Sequence, residues 1–180
     1  MKTKRSPLLP RPSLRMLCQI AAMIALAIVL ERFLSFGPGF ARVSFAFVPM
    51  ALCAMLYGPV WGGIAFGLSD VIGSWLFSYG FWPGIVASRV LSGVIFGLFL
   101  HREVVKFFPH ILAAALTEEI VCACGLTTLI LSVNGLGAFF PLLIARLLPW
   151  IAITIFLQLL ILPVLVRLRL TLRKAKLVDL

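Results

Sequence analysis

Asp70 and Arg89 are the two side chains this apolar sequence most needs to account for. Asp70 sits inside GGIAFGLSDVIGSWLF (62–77) and Arg89 inside FWPGIVASRVLSGVIFGLFL (81–100), stretches otherwise apolar enough to lie in lipid. An unpaired charge in hydrocarbon costs several kcal/mol on most scales, so each is expected to find a partner or line a polar cavity. Counted at helical spacing, Gly63, Gly67 and Ser74 share the face of Asp70, and Gly93 and Gly97 share the face of Arg89. Small residues four apart let two helix backbones approach closely. Both charges also lie at matching depth, roughly 10 Å below the same end of their helices at 1.5 Å per residue. The spacing therefore predicts an ion pair between two Gly-striped helices.

The remaining charges on that side do not balance. Arg32, Arg42, Arg89 and Arg146 face only Glu31 and Asp70. Arginine grips carboxylates and phosphates bidentately, so an electropositive cavity of this kind suits an anionic ligand. Arg146 is the hardest of the four to assign to lipid headgroups, because apolar helix precedes it. Glu118 and Glu119 enter their helix from the opposite side. They are read as emerging into water or resting on a partner subunit, and no chemistry is assigned to them. His101 and His110 flank a loop and are read as solvated.

Catalysis finds no footing in these residues. Both histidines lie outside the apolar runs, where an intramembrane metalloprotease would need His and Glu at helical spacing. Phosphatidyl transfer needs several aspartates, and the chain has only Asp70 and Asp179. No serine has a plausible base beside it. A phosphate loop of the Gly-Lys-Thr kind is missing, so the chain is not expected to hydrolyse ATP. Binding or transport remains, with no cofactor and no metal site.

The elements that position these residues follow from composition. Of the 180 residues, 62% are hydrophobic and 12% charged, and the mean hydropathy is +1.14. Apolar runs of about 20 residues, long enough to cross a hydrocarbon core, recur along the chain. The fold class expected is an all-α integral membrane protein. Pro, Gly and charge punctuate it into about six transmembrane helices: 16–35, 44–57, 60–77, 84–100, 110–133 and 141–166. The Tyr57-Gly58-Pro59 link makes the second and third antiparallel neighbours. The net charge of +10 would suggest nucleic acid in a soluble chain, but the basic residues cluster at the termini and between apolar runs, which points to membrane lipid instead.

Lys2, Lys4, Arg5, Arg11, Arg15, Arg102, Lys106 and the stretch from Arg167 to Lys176 share one side, cytoplasmic by the positive-inside rule. Both termini are then cytoplasmic: a basic segment over 1–15, the bundle over 16–166 and a basic tail over 167–180. The opposite side carries the Gly- and aromatic-rich loops SFGPGFAR (35–42), SYGFWPG (78–84) and VNGLGAFFP (133–141). Cys18, Cys53, Cys122 and Cys124 fall inside apolar runs and are read as buried small apolar residues. The first apolar run is too long for a signal peptide and is read as a retained helix.

The series ERFLSF, RVSFAFVPMAL, LYGPVWGGIAFGLSDVIGSWLF and FWPGIVASRVLSGVIFGLFL, in that order, resembles the small membrane-embedded S components of energy-coupling factor (ECF) vitamin transporters, and within them the folate-specific ones. TTLILS (127–132) is similar to the family's Asn-Thr-Leu-Trp-Leu stretch, with Thr127 in place of Asn and Ile130 in place of Trp. Leu147-Leu148-Pro149 replaces a stretch where a second basic residue is usual.

The resemblance implies a bundle in the bacterial cell membrane that binds its vitamin from outside and delivers it by reorienting. A transmembrane T component and two cytoplasmic ATPase subunits would supply the energy. Ala21 and Ala25 match the family's small-residue contact to the T component, though ordinary helix packing uses the same spacing. Candidate substrate contacts are the arginines Arg32, Arg42, Arg89 and Arg146, with Asp70 and Ser74 on the third helix. The aromatics Phe45 and Trp82 and the hydroxyls of Thr127 and Thr128 join them. Folate's pterin offers an amino group beside a ring N–H, a donor pair a carboxylate can accept. For Asp70 the pairing with Arg89 is preferred, because it needs no ligand. Another vitamin or pterin, or an assembly role without transport, are the alternatives.

Overall fold

Ser13 starts the first helix: its Oγ accepts from the Met16 amide at 3.2 Å, satisfying one of the donors that a helix start leaves open. In the computed structural model the described residues are 13–36, 43–77, 83–101, 107–133, 141, 144 and 152–174. Helix α1 (Leu14–Phe33) buries Met16, Ile20, Ile24 and Ala27 along one stripe, while Ala21 and Ala25 are exposed on another. Cys18 is exposed as well, contrary to the expectation of burial, because it falls outside that stripe; Cys53 and Cys122 are buried.

After α1 the chain forms a short antiparallel ladder between β1 (Ser35–Phe36) and β2 (Val43–Ser44), pairing Ser35 with Ser44 and Phe36 with Val43. The sequence reading has only a loop here, since two-residue strands carry no alternation to detect. Helix α2 (Phe47–Tyr57) is buried on nearly every side, as its run of small and apolar residues requires. It ends at Gly58, whose φ of 91° is a conformation that side chains with a Cβ rarely adopt. Pro59, which has no amide to leave unsatisfied, opens α3 (Pro59–Phe77) immediately after. The expected tight reversal between the second and third helices is present.

α3 and α4 (Pro83–Leu100) meet through their glycines. A Cβ at Gly93 would stand 2.5 Å from the Gly62 carbonyl oxygen, and one at Gly97 would stand 2.2 Å from Pro59 Cα. Gly63 and Gly67 are closed off by Val94 and Val90 in the same way. The two stripes read from the sequence thus face each other, with Gly62, one position off the counted stripe, added to the contact. Behind them Phe66 and Phe96 stack with centroids 6.0 Å apart.

The stretch expected as one helix over 110–133 is continuous but not uniform. Helix α5 (Phe107–Thr117) passes into a π-helical segment (Glu118–Leu126) and then into α6 (Thr127–Val133). The last helix, α7 (Ala152–Lys174), runs well past the expected end at 166. Pro163 removes one amide from its ladder without ending it. The basic run after Val166 was assigned to a tail on charge, yet Arg169 is buried. Its Nη1 donates to the Leu100 carbonyl, and its Nη2 donates to the His101 carbonyl at 2.7 Å. His101 is not simply solvated either: its Nδ1 lies 3.0 Å from the Met55 carbonyl. Among the described residues, α1, α4 and the 153–172 stretch of α7 are each long and apolar enough to cross a membrane.

Candidate functional site

Among the described residues, two groupings of side chains bring acids together with polar partners across the helices. The first is centred on Arg89. Its Nε stands 3.7 Å from Asp70 Oδ1 and its Nη2 stands 3.5 Å from Glu31 Oε1, so one guanidinium ties α4 to both α3 and α1. The Gly stripes bring Asp70 and Arg89 level, as their counted depths require. Asp70 is the more enclosed partner, its side chain 15% exposed against 44% for Arg89. Sequence reasoning had placed Glu31 on the same side but not in the pair; a partner on a third helix has no signature in local spacing.

Five of the other sequence-derived candidates fall among the described residues. Arg32 occupies the last turn of α1, where a cation is favoured by the helix dipole, and is exposed. Phe45 follows β2, partly buried, with its amide donating to the Leu34 carbonyl at 3.4 Å. Ser74 is partly buried one turn beyond Asp70 on α3. Thr127 opens α6, and Thr128 beside it is fully buried, with no hydrogen-bond partner for its Oγ1 among the described residues. Arg42, Trp82 and Arg146 lie outside the described residues.

The second grouping corrects the reading of the glutamate pair. Glu118 and Glu119 do not emerge into water: they are 8% and 5% exposed, at the start of the π segment. Ser92 Oγ on α4 lies 2.9 Å from Glu118 Oε1. Gln158 Nε2 on α7 donates to Glu118 Oε2 at 3.1 Å and, more weakly, to Glu119 Oε1 at 3.5 Å. Ser88, one turn from Ser92, donates to the Cys122 carbonyl at 3.1 Å. π segments recur at functional sites and leave backbone groups in non-standard pairing. The signal available in sequence was the recurrence of Ser88, Ser92 and Gln158 within apolar helices, positions where polar residues are retained only with partners.

Among the described residues no three His, Cys, Asp or Glu side chains gather in a way that could hold a metal ion. Apolar helices joined across buried polar groups, three of them long enough to cross a membrane among the described residues, are the architecture of a membrane-embedded protein. More particularly, the chain belongs to the S components of ECF transporters: the family described as "ECF-type riboflavin transporter, S component" matches residues 12–169.

Relatives named folate transporter FolT are 36% identical to it, in Clostridium novyi over 103 residues and in Leuconostoc mesenteroides subsp. mesenteroides over 97 residues. Those matches cover 57% and 53% of this chain, and only 60% and 52% of the relatives' lengths. A crystal structure of FolT bound with folic acid superposes with a TM-score of 0.75 at 28% identity, over 82% of this chain and 90% of the other.

Proposed function

We propose that the protein is the substrate-binding subunit of an ECF-type importer and that its substrate is folate. The observation that carries this reading is the likeness, over most of both chains, to FolT bound with folic acid. On this reading six helices cross the bacterial cell membrane with both termini in the cytoplasm. Folate enters from the hairpin end, where Arg32, Arg42, Arg89 and Arg146 give its carboxylates charge-assisted contacts. Phe45 and Trp82 pack against its rings, and Ser74, Thr127 and Thr128 supply hydroxyls. Asp70 stays with Arg89. The subunit then reorients in the membrane and delivers the vitamin, while a T component and two cytoplasmic ATPases provide the energy. The exposed Ala21 and Ala25 on α1 are the proposed seat of the T component.

Riboflavin is the second reading, favoured by the description of the matching family. Calorimetric titration of the detergent-purified subunit with folate and with riboflavin separates the two, and mass spectrometry of ligand released on denaturation supports the result. Folate binding, with none for riboflavin, is the expected outcome. The reverse would reassign the substrate, and a protein that carries and binds neither would point to an assembly role.

A further inference from the structure

Arg89 presents a fork of N–H donors, and among the described residues none of them is spent on a hydrogen bond. Its contacts to Glu31 at 3.5 Å and to Asp70 at 3.7 Å are longer than the roughly 2.7–2.9 Å of a charge-assisted hydrogen bond. The two acids hold the guanidinium by charge and leave its donors free for a better acceptor.

The contacts also divide the fork unevenly. A guanidinium can seat a carboxylate bidentately along the edge formed by Nε and one Nη, or along the edge formed by the two Nη atoms. Asp70 lies against Nε and so takes the first edge. Glu31 stands at Nη2, one corner of the second, and Nη1 has no contact with either acid. A carboxylate that settles on both Nη atoms has to move Glu31 aside. Glu31 can go, because its side chain is 38% exposed and water can take its charge, whereas Asp70 is 15% exposed and remains as the counterion of Arg89.

We propose that Glu31 is an internal stand-in for the ligand: it occupies the Nη edge of Arg89 in the empty subunit, and a carboxylate of the bound vitamin displaces it. This rests on the folate reading above, since riboflavin carries no carboxylate. Glu31 is then a specificity-determining residue that competes with the ligand for Arg89, and its contact from α1 to α4 opens as the ligand binds.

Calorimetric titration of folate into the detergent-purified full-length protein and its Glu31→Gln, Arg89→Gln and double variants tests this. Glu31→Gln is expected to bind folate about two- to fivefold more tightly than the wild type, the worth of an exposed ion pair no longer lost on binding. The same change in the Arg89→Gln background should bring no gain. Where Arg89→Gln does not fold or does not bind, Glu31→Asp makes the same distinction: it keeps the charge but withdraws it from Nη2, so part of the gain should remain. Folate binding by the wild type that is unchanged or weaker in Glu31→Gln overturns the proposal while the folate reading stands. A gain that persists without Arg89, or that Glu31→Asp lacks entirely, also overturns it, by reducing Glu31 to a general repulsion of anions. A wild-type protein that binds no folate overturns both.

Discussion

Arg89 Nε stands 3.7 Å from Asp70 Oδ1, and the same guanidinium reaches Glu31 Oε1 at 3.5 Å. The two acids are therefore not equivalent to the base. Asp70→Asn leaves Arg89 with Glu31, whereas Arg89→Gln strands both carboxylates. Removing one partner of a fully buried pair costs about 3–5 kcal/mol, and the partial exposure of Arg89 reduces this. Melting temperatures in detergent without ligand are expected to fall for Asp70→Asn by the equivalent of about 1–2 kcal/mol and further for Arg89→Gln. The double variant should recover part of the loss. Strictly additive losses would show that the pair contributes no coupling.

The glycine contacts predict a sharp contrast within one helix pair. A Cβ at Gly97 would meet backbone of Pro59, which cannot swing aside, while one at Gly73 would meet nothing within 4 Å. Gly97→Ala should cost about 3 kcal/mol or prevent folding. Gly73→Ala should be neutral or stabilise by about 0.5 kcal/mol through helix propensity. Thermal unfolding of the two variants side by side checks both directions.

Arg169 holds the end of α4 from α7, through the carbonyls of Leu100 and His101. Arg169→Ala leaves those acceptors to water or to nothing and is expected to cost about 1–3 kcal/mol. Arg169→Lys, a point donor in place of a fork, should recover only part of it. Proteolysis rates at residues 102–106 and melting temperatures are the readouts.

For the proposed folate site, Arg32→Ala should remove one charge-assisted contact and weaken folate about ten- to a hundredfold. The exposed position of Arg32 means that the melting temperature of the ligand-free protein should hardly change. Calorimetry showing unchanged affinity would remove Arg32 from the site.

Leucine at Ala21 or Ala25 would add apolar bulk to a face of α1 that is exposed in the subunit alone. Folate binding should survive, and co-purification with the T component and uptake should fall. If binding falls together with uptake, the face is not a partner contact.

Legibility in the sequence followed the range of the interactions. The Gly58-Pro59 reversal and the facing glycine stripes rest on residues a few positions apart, so local spacing was enough to read them. The Asp70–Arg89 pair followed from two depths counted against a common membrane plane. Glu31 joining that pair, Gln158 meeting the two glutamates and Arg169 folding back to Leu100 are contacts between distant helices, with no local signature. The charge rule that sends basic residues to a tail also misread the end of α7, since a guanidinium that finds carbonyls can stay inside. The glutamate pair was misread for a related reason: its neutral partners sit on α4 and α7 rather than on its own helix.

The π segment has a consequence for comparing this chain with others. Each of its hydrogen bonds spans one residue more than in an α-helix, so the stretch behaves as an insertion absorbed without a loop. Residues after Leu126 are out of phase with a wheel drawn from Phe107, and any face assigned to Thr128 by counting from α5 is the wrong one.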